Sequence, residues 1–314
     1  MRKKITIAGA GRVGSTAVQL CAYKELGDIV LFNRTAETAR GIALDLSESA
    51  PILGFDVKIT GTNDFEETKN SDVIVITAGS QRKEGMSREE LLCRNADIVE
   101  SIAGKLAAQS PDAVLIVVTN PLDVMVHVGC KYSGFKKSKV IGMAGILDTS
   151  RFRSFISGEL NVSVEDVSAI VLGGHSDVMV PLPEHSTVNG IPITELLSKE
   201  KIKQIIERTK KGGAEIVALM KDSSAFYAPG TGITQIVEAV VKDKKRVLPC
   251  AAYLNGQFGL KGIFMGVPAK IGAHGVEEIL EFELNNEEKK AFYESAESVR
   301  KLVEKLNVEC PVKI

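Results

Sequence analysis

Apolar residues come in short, nearly unbroken runs through the first half of the chain, and segments with helical spacing of apolar positions separate one run from the next. The runs at 4–8, 29–33, 56–60, 73–77, 114–119 and 140–143 have strand length and few polar positions, as strands buried on both faces do. Between them, segments 36–48 and 88–108 repeat apolar residues at helical spacing, and Ser110-Pro111-Asp112 stops the second. Strands alternating with helices predict βαβ units, and six of them predict an α/β, Rossmann-type, doubly wound parallel sheet.

After Gly142 the texture changes. Helical stretches at 149–160, 199–221, 231–242 and 286–306 interleave with short, antiparallel-looking runs at 167–172, 250–254 and 262–268. An α+β domain is expected over residues 143–314, following a first domain over 1–142. No linker, charge tract or repeat separates them, so the boundary reads as a packed hinge.

Directly after the first strand run stands Gly9-Ala10-Gly11-Arg12-Val13-Gly14, and directly after that a helix-like stretch from Ser15. Glycines in a strand-turn-helix let the backbone turn sharply and approach a pyrophosphate, whose charge meets the amides and positive dipole end of the helix. Gly9, Gly11, Arg12, Val13 and Gly14 are therefore candidate cofactor residues, although a glycine turn alone is also a plain tight turn. The next strand ends in Asn33-Arg34-Thr35, where a fold that prefers NAD carries Asp or Glu for the ribose 2′-hydroxyl. Without the acid, and with arginine following, the expected cofactor is NADP, NAD or both, and NADP is favoured.

Composition narrows the partners. The 39 lysines and arginines against 40 acids leave a net charge of −1, with no excess for nucleic acid or anionic lipid, and 44% hydrophobic residues suffice for a large core. The most membrane-like stretch, 114–128, is interrupted by Asn120, Pro121 and Asp123, short of the roughly 18 uninterrupted apolar residues a span needs. The five cysteines are scattered, without a CxxC pair, and read as buried or free thiols of a reducing compartment. A cytoplasmic protein without a metal site is expected.

Four further segments carry candidate chemistry. The charged, glycine-bounded run 78–88 follows a strand and reads as a mobile lid or an ordinary surface loop. Thr119-Asn120-Pro121 lies at another strand end, where Asn120 can hydrogen-bond beside a cofactor ring or the Asn-Pro pair simply ends the strand. Asp148 and Arg151 open a helix three residues apart, facing one cleft or serving as helix cap and surface cation. His175, in Leu172-Gly173-Gly174-His175-Ser176-Asp177, follows a strand in a setting open to close approach, with a structural histidine as the alternative.

In order and spacing these elements resemble the lactate and malate dehydrogenase family, over residues 1 to about 306, and most closely its malate-specific branch of the lactate-dehydrogenase-like type. The resemblance implies that His175 is the general acid that protonates the ketone oxygen of a 2-keto acid, and that Asp148 fixes its ring. It implies that Arg151 clamps the substrate carboxylate, that Arg88 polarises the carbonyl, and that Asn120 positions substrate and nicotinamide. Asn95 and Thr119 complete the implied cofactor set. Arg82 stands where the family's lid carries arginine in malate enzymes and glutamine in lactate enzymes, which implies a dicarboxylate substrate, since a buried guanidinium without a carboxylate is costly. Gln81 is the neighbour, and the register is held by the ungapped run from Lys83 to Arg88.

Two departures from the family pattern stand out: Asn33-Arg34 in place of the acid, and Ser176 in place of the glycine after the histidine, where a hydroxymethyl group narrows the pocket or tilts the ring. The resemblance also implies a homodimer or homotetramer, with the 36–48 helix as a contact. A lactate or other 2-hydroxy-acid dehydrogenase is the rival within the family. A catalytically silent nucleotide-sensing protein is the rival outside it, and it would not need His175, Asp148, Arg151 and Arg88 together.

Overall fold

A computed structural model describes residues 2–80 and 85–310. The first half runs β1 (Lys4–Ala8), α1 (Arg12–Tyr23), β2 (Asp28–Phe32), α2 (Ala36–Leu53), β3 (Ile59–Thr62), β4 (Val73–Ile76), α3 (Arg88–Gln109), β5 (Val114–Val117), α4 (Leu122–Ser133) and β6 (Val140–Gly142). There follow α5 (Gly145–Leu160), β7 (Val167–Ser168), β8 (Val171–Leu172), β9 (Val180–Pro181), β10 (Thr187–Val188), β11 (Ile191–Pro192) and α6 (Ile193–Leu196). The chain continues through α7 (Lys199–Met220), α8 (Tyr227–Val241), β12 (Arg246–Asn255), β13 (Lys261–Gly272), β14 (Gly275–Ile279) and α9 (Asn286–Glu309).

Nine strands form one sheet in the order β14-β13-β12-β6-β5-β4-β1-β2-β3. Its parallel part reads 3-2-1-4-5-6, the doubly wound order, with the reversal of strand order between β1 and β4. Every residue of β4 and of β5 is buried, which is why these strands are continuous apolar runs rather than alternating ones. Ligands bind such sheets beyond the carboxyl ends of the strands at the reversal, and there the glycine turn after β1 lies beside residues 77–80 after β4.

Several boundaries differ from those the sequence suggests, each for a local reason. The third strand occupies 59–62 rather than 56–60, because Phe55 and Val57 are buried core residues that lie outside the ladder. The helix expected from Thr149 begins at Gly145, so Asp148 lies inside its first turn and does not cap it. The run 167–172 splits into two short strands, and the runs at 250–254 and 262–268 are parts of the long hairpin β12–β13. That hairpin joins the sheet of the first half through an antiparallel bridge between Ala251 and Gly142, where a Cβ on Gly142 would stand 2.7 Å from the Ala251 Cβ. One sheet therefore crosses residue 142.

The expectation of unpaired thiols is corrected at one pair. Packing of α9 against α3 brings Cys93 and Cys310, 217 residues apart in sequence, into a disulfide. Cys21, Cys130 and Cys250 are free. Among the described residues, no helix is long and apolar enough to cross a membrane.

Candidate active site

The glycine turn has the close approaches that glycine alone permits. Gly9 has φ +124°, and a Cβ there would lie 2.5 Å from Thr77 Oγ1, while a Cβ on Gly14 would lie 1.9 Å from the Gly9 carbonyl oxygen. Gly11, by contrast, has nothing within 4 Å of a Cβ and faces open space. It caps α1 with no side-chain hydrogen bond, and no acid sits in the first turn. The helix start thus offers unpaired amides and a positive dipole end to an open face, which fits a pyrophosphate. Arg12 lies on the Phe226 ring, 5.4 Å from its centroid. Val13 is half-buried, and Arg34 and Thr35 are exposed. Asn33 ties the turn to the end of β2: its Oδ1 accepts from the Ala10 amide at 3.4 Å and its Nδ2 donates to the Thr35 carbonyl at 3.1 Å.

Asn95 and Thr119 sit under the root of the loop that follows β4. Asn95 Oδ1 accepts from the Ser80 amide at 2.7 Å, and its Nδ2 donates to the carbonyls of Asn120 at 2.7 Å and Ser80 at 3.3 Å. Thr119 Oγ1 donates to the Ala78 carbonyl at 2.7 Å. Both side chains are buried and act on the main chain, clamping the two strand ends together. A Cβ on Gly79 would stand 2.6 Å from Thr119 Cγ2, so only glycine lets these segments meet so closely. Asn120, exposed, joins Pro121 through a cis peptide bond.

Arg82 lies outside the described residues. Arg88 is exposed as the first residue of α3, fixed there by a capping box in which Ser87 Oγ accepts from the Glu90 amide and Glu90 accepts from the Ser87 amide. A cation opposes the helix dipole at that position, which gives Arg88 no structural reason to be there.

The acid–base group lies between α5 and the loop after β8. Asp148, 2% exposed, accepts with Oδ2 from His175 Nδ1 at 2.7 Å and with Oδ1 from Arg151 Nη1 at 3.3 Å. Removing the carboxylate from the cap position is what frees both oxygens for this pairing. Burial of the His175 ring disfavours its charge, but the Asp148 carboxylate, through charge and hydrogen bond, outweighs that with help from Asp123 and against Arg151, so the imidazole titrates above its ordinary value. Occupation of Nδ1 by Asp148 leaves Nε2 as the nitrogen that can exchange a proton with a ligand. Arg151 is 14% exposed, and its buried Nε has no partner among the described residues. A cation so placed, half-satisfied by Asp148, is matched to an incoming carboxylate.

Sequence reading missed the residues that shape this group from behind. Gly212 and Gly213, inside the 22-residue helix α7, make room for Arg151, since a Cβ on Gly212 would lie 3.1 Å from its Cδ. Two adjacent glycines weaken a helix interior, and that cost was the available signal. Asp123 and Ser295 were also missed; they accept from the His175 and Gly174 amides at 2.8 Å and 2.9 Å. Ser176, whose hydroxymethyl group was expected to crowd the pocket, is exposed, and its amide donates to the Gly174 carbonyl at 2.9 Å.

A dinucleotide-type sheet with an imidazole–carboxylate pair and an under-paired arginine defines a nicotinamide-dependent oxidoreductase architecture. The chain belongs to the lactate/malate dehydrogenase family: the family's NAD binding domain matches residues 3–142 and its alpha/beta C-terminal domain matches residues 146–309. It is 55% identical to a malate dehydrogenase of Rhodopirellula baltica over 304 residues, 96% of each chain. The crystal structure of Cryptosporidium parvum malate dehydrogenase superposes with a TM-score of 0.95 at 43% identity, over 98% of this chain and 100% of that one. A Cryptosporidium parvum lactate dehydrogenase complexed with lactic acid and β-nicotinamide adenine dinucleotide superposes equally well, at 0.95 and 40% identity over 98% of both chains.

Proposed function

We propose that this chain is a malate dehydrogenase, which interconverts malate and oxaloacetate, a step of the tricarboxylic acid cycle, with a nicotinamide dinucleotide. The observation that carries the reading is the Asp148–His175 pair with Arg151 on the same carboxylate. Residues of the glycine turn and the α1 amides hold the pyrophosphate, and Asn33 holds the adenosine ribose. A nicotinamide dinucleotide held there would supply hydride chemistry at its ring. His175 donates its Nε2 proton to the ketone oxygen during reduction and takes it back during oxidation, while Asp148 keeps Nδ1 protonated and stabilises the imidazolium. Arg151 orients the substrate through its C1 carboxylate, Arg88 polarises the carbonyl, and Asn120 positions substrate against nicotinamide. Arg82 pairs with the second carboxylate and selects a dicarboxylate over pyruvate.

For the cofactor, the neutral Asn33, the exposed Arg34 and Thr35, and Arg12 support use of NADPH at least as efficient as that of NADH. The assembly is a homodimer or homotetramer, and the exposed Leu44 and Ile52, at 62% and 86%, support α2 as a contact. The compartment is the cytoplasm, on the three free thiols Cys21, Cys130 and Cys250, and the Cys93–Cys310 disulfide is the one feature that runs against a reducing compartment. The test of the chemistry is His175→Asn: turnover falls at least about a hundredfold while cofactor affinity holds, because general acid catalysis contributes on that order. A loss below about tenfold removes His175 from the mechanism.

A further inference from the structure

His175 is held by two carboxylates, and only Asp148 hydrogen-bonds its ring. The second, Asp123, stands in the first turn of α4, three residues after Asn120, and is 5% exposed. Its Oδ2 accepts from the His175 amide at 2.8 Å, and its Oδ1 has no hydrogen-bond partner among the described residues. An acid in a first helical turn ordinarily faces its own helix amides or solvent. This one is buried and bonded to a loop 52 positions away.

The loop is shaped to receive it. Gly173 has φ +93°, and a Cβ on Gly174 would lie 3.2 Å from Asp123 Oδ2 and 2.8 Å from Val299 Cγ2, so the backbone is pressed between α4 and α9. On the α9 side the contact is neutral, with Ser295 Oγ accepting from the Gly174 amide at 2.9 Å. On the other side, the Asn120 carbonyl accepts from Asn95, which also grips Ser80 at the root of the loop after β4. The strap from Asn120 to Asp123 thus links the lid root to the main chain of His175.

We propose that Asp123 is a positioning residue for the hydride-transfer reaction: its carboxylate fixes the His175 main chain and places a second negative charge near the imidazole, so that Ser80 after β4, the 120–123 strap and the general acid are held in one register. The inference rests on the malate dehydrogenase reading. The charged groups facing the imidazole are Asp148 and Arg151 from α5 and Asp123 from α4, while α9 contributes the neutral Ser295 and Val299 to the loop. Burial pushes the Asp123 carboxyl up to about 6, against the pull of the His175 charge and amide, so it is ionised at and above neutral pH, where reduction loses its acid.

Three variants test this. Asp123→Asn keeps an acceptor for the His175 amide and removes the charge; Asp123→Ala removes both; Ser295→Ala removes the neutral anchor. In oxaloacetate reduction, kcat/KM falls as pH rises past the His175 midpoint, and D123N moves that midpoint down by about one unit, as loss of a nearby carboxylate requires. S295A leaves the midpoint in place. D123A lowers kcat at least about tenfold while KM and NADH affinity change less than about twofold, since a misplaced acid harms the chemical step and not binding. The pH dependence of diethylpyrocarbonate modification of His175, read by peptide mass, shifts in D123N by the same amount and requires no turnover. Superimposed wild-type and D123N profiles in both assays overturn the proposal, and D123N decides alone if D123A does not fold. Wild-type protein that leaves oxaloacetate unreduced refutes the functional reading instead, and the modification profile still judges Asp123.

Discussion

Replacement of Asp148 by asparagine isolates the carboxylate that raises the His175 titration and so supports its proposed role as an acid. The 2.7 Å contact puts the centres of charge about 4 Å apart, which corresponds to ~4 kcal/mol at an effective dielectric of about 20. Arg151, 3.3 Å from the other oxygen, draws on the same carboxylate, so roughly half of that, about 2 kcal/mol, is left for the imidazolium. At 1.36 kcal/mol per unit this lowers the His175 midpoint by about 1.5 units, from above the ordinary histidine value to below it, because burial then outweighs the Asp123 charge that remains. The sign follows from the roles: reduction needs the imidazolium and fails as pH rises through the midpoint, while malate oxidation needs the neutral ring and gains there. Asparagine can also donate to Nδ1 and impose the wrong tautomer, so the expected loss of kcat/KM for reduction at pH 7 is at least about a hundredfold. Steady-state reduction rates from pH 5 to 9 measure both quantities. A midpoint within about 0.3 unit of wild type, with a loss below about tenfold, would refute the electrostatic account of the pair.

Two further outcomes concern selectivity. Arg82→Gln depresses oxaloacetate reduction and raises pyruvate reduction if Arg82 has the selecting role proposed for it, because the charge that would penalise a monocarboxylate is removed; an unchanged preference transfers that role to Gln81. Arg34→Ala raises KM for NADPH far more than for NADH, since a charge-assisted bond to a phosphate contributes about 1.5 to 3 kcal/mol before solvent screening; equal effects on both cofactors remove Arg34 from phosphate recognition.

Much of this site was legible because the chemistry sits where local sequence is punctuated. The glycine turn after β1, Asn120 at a strand end, and His175 after two glycines are each marked by a neighbouring glycine or proline. Asp148 was recognisable but misplaced, because an acid before Thr149 has the form of a helix cap; the helix in fact begins at Gly145. Asp123 and Ser295 were hidden, since an acid in one helix and a serine in another acquire meaning only when tertiary packing closes on the His175 loop. The same holds for Cys93 and Cys310, which the packing of α9 on α3 joins, and for β12 and β13, whose apolar runs do not reveal which sheet they extend.

The account as a whole is tested by the initial rates of the wild-type enzyme on oxaloacetate and on pyruvate, each with NADH and with NADPH. It predicts oxaloacetate strongly over pyruvate, as a guanidinium left without its carboxylate costs several kcal/mol, and NADPH at least equal to NADH. A preference for pyruvate contradicts the substrate assignment, and a preference for NADH above about tenfold, or 1.4 kcal/mol, contradicts the reading of Asn33 and Arg34.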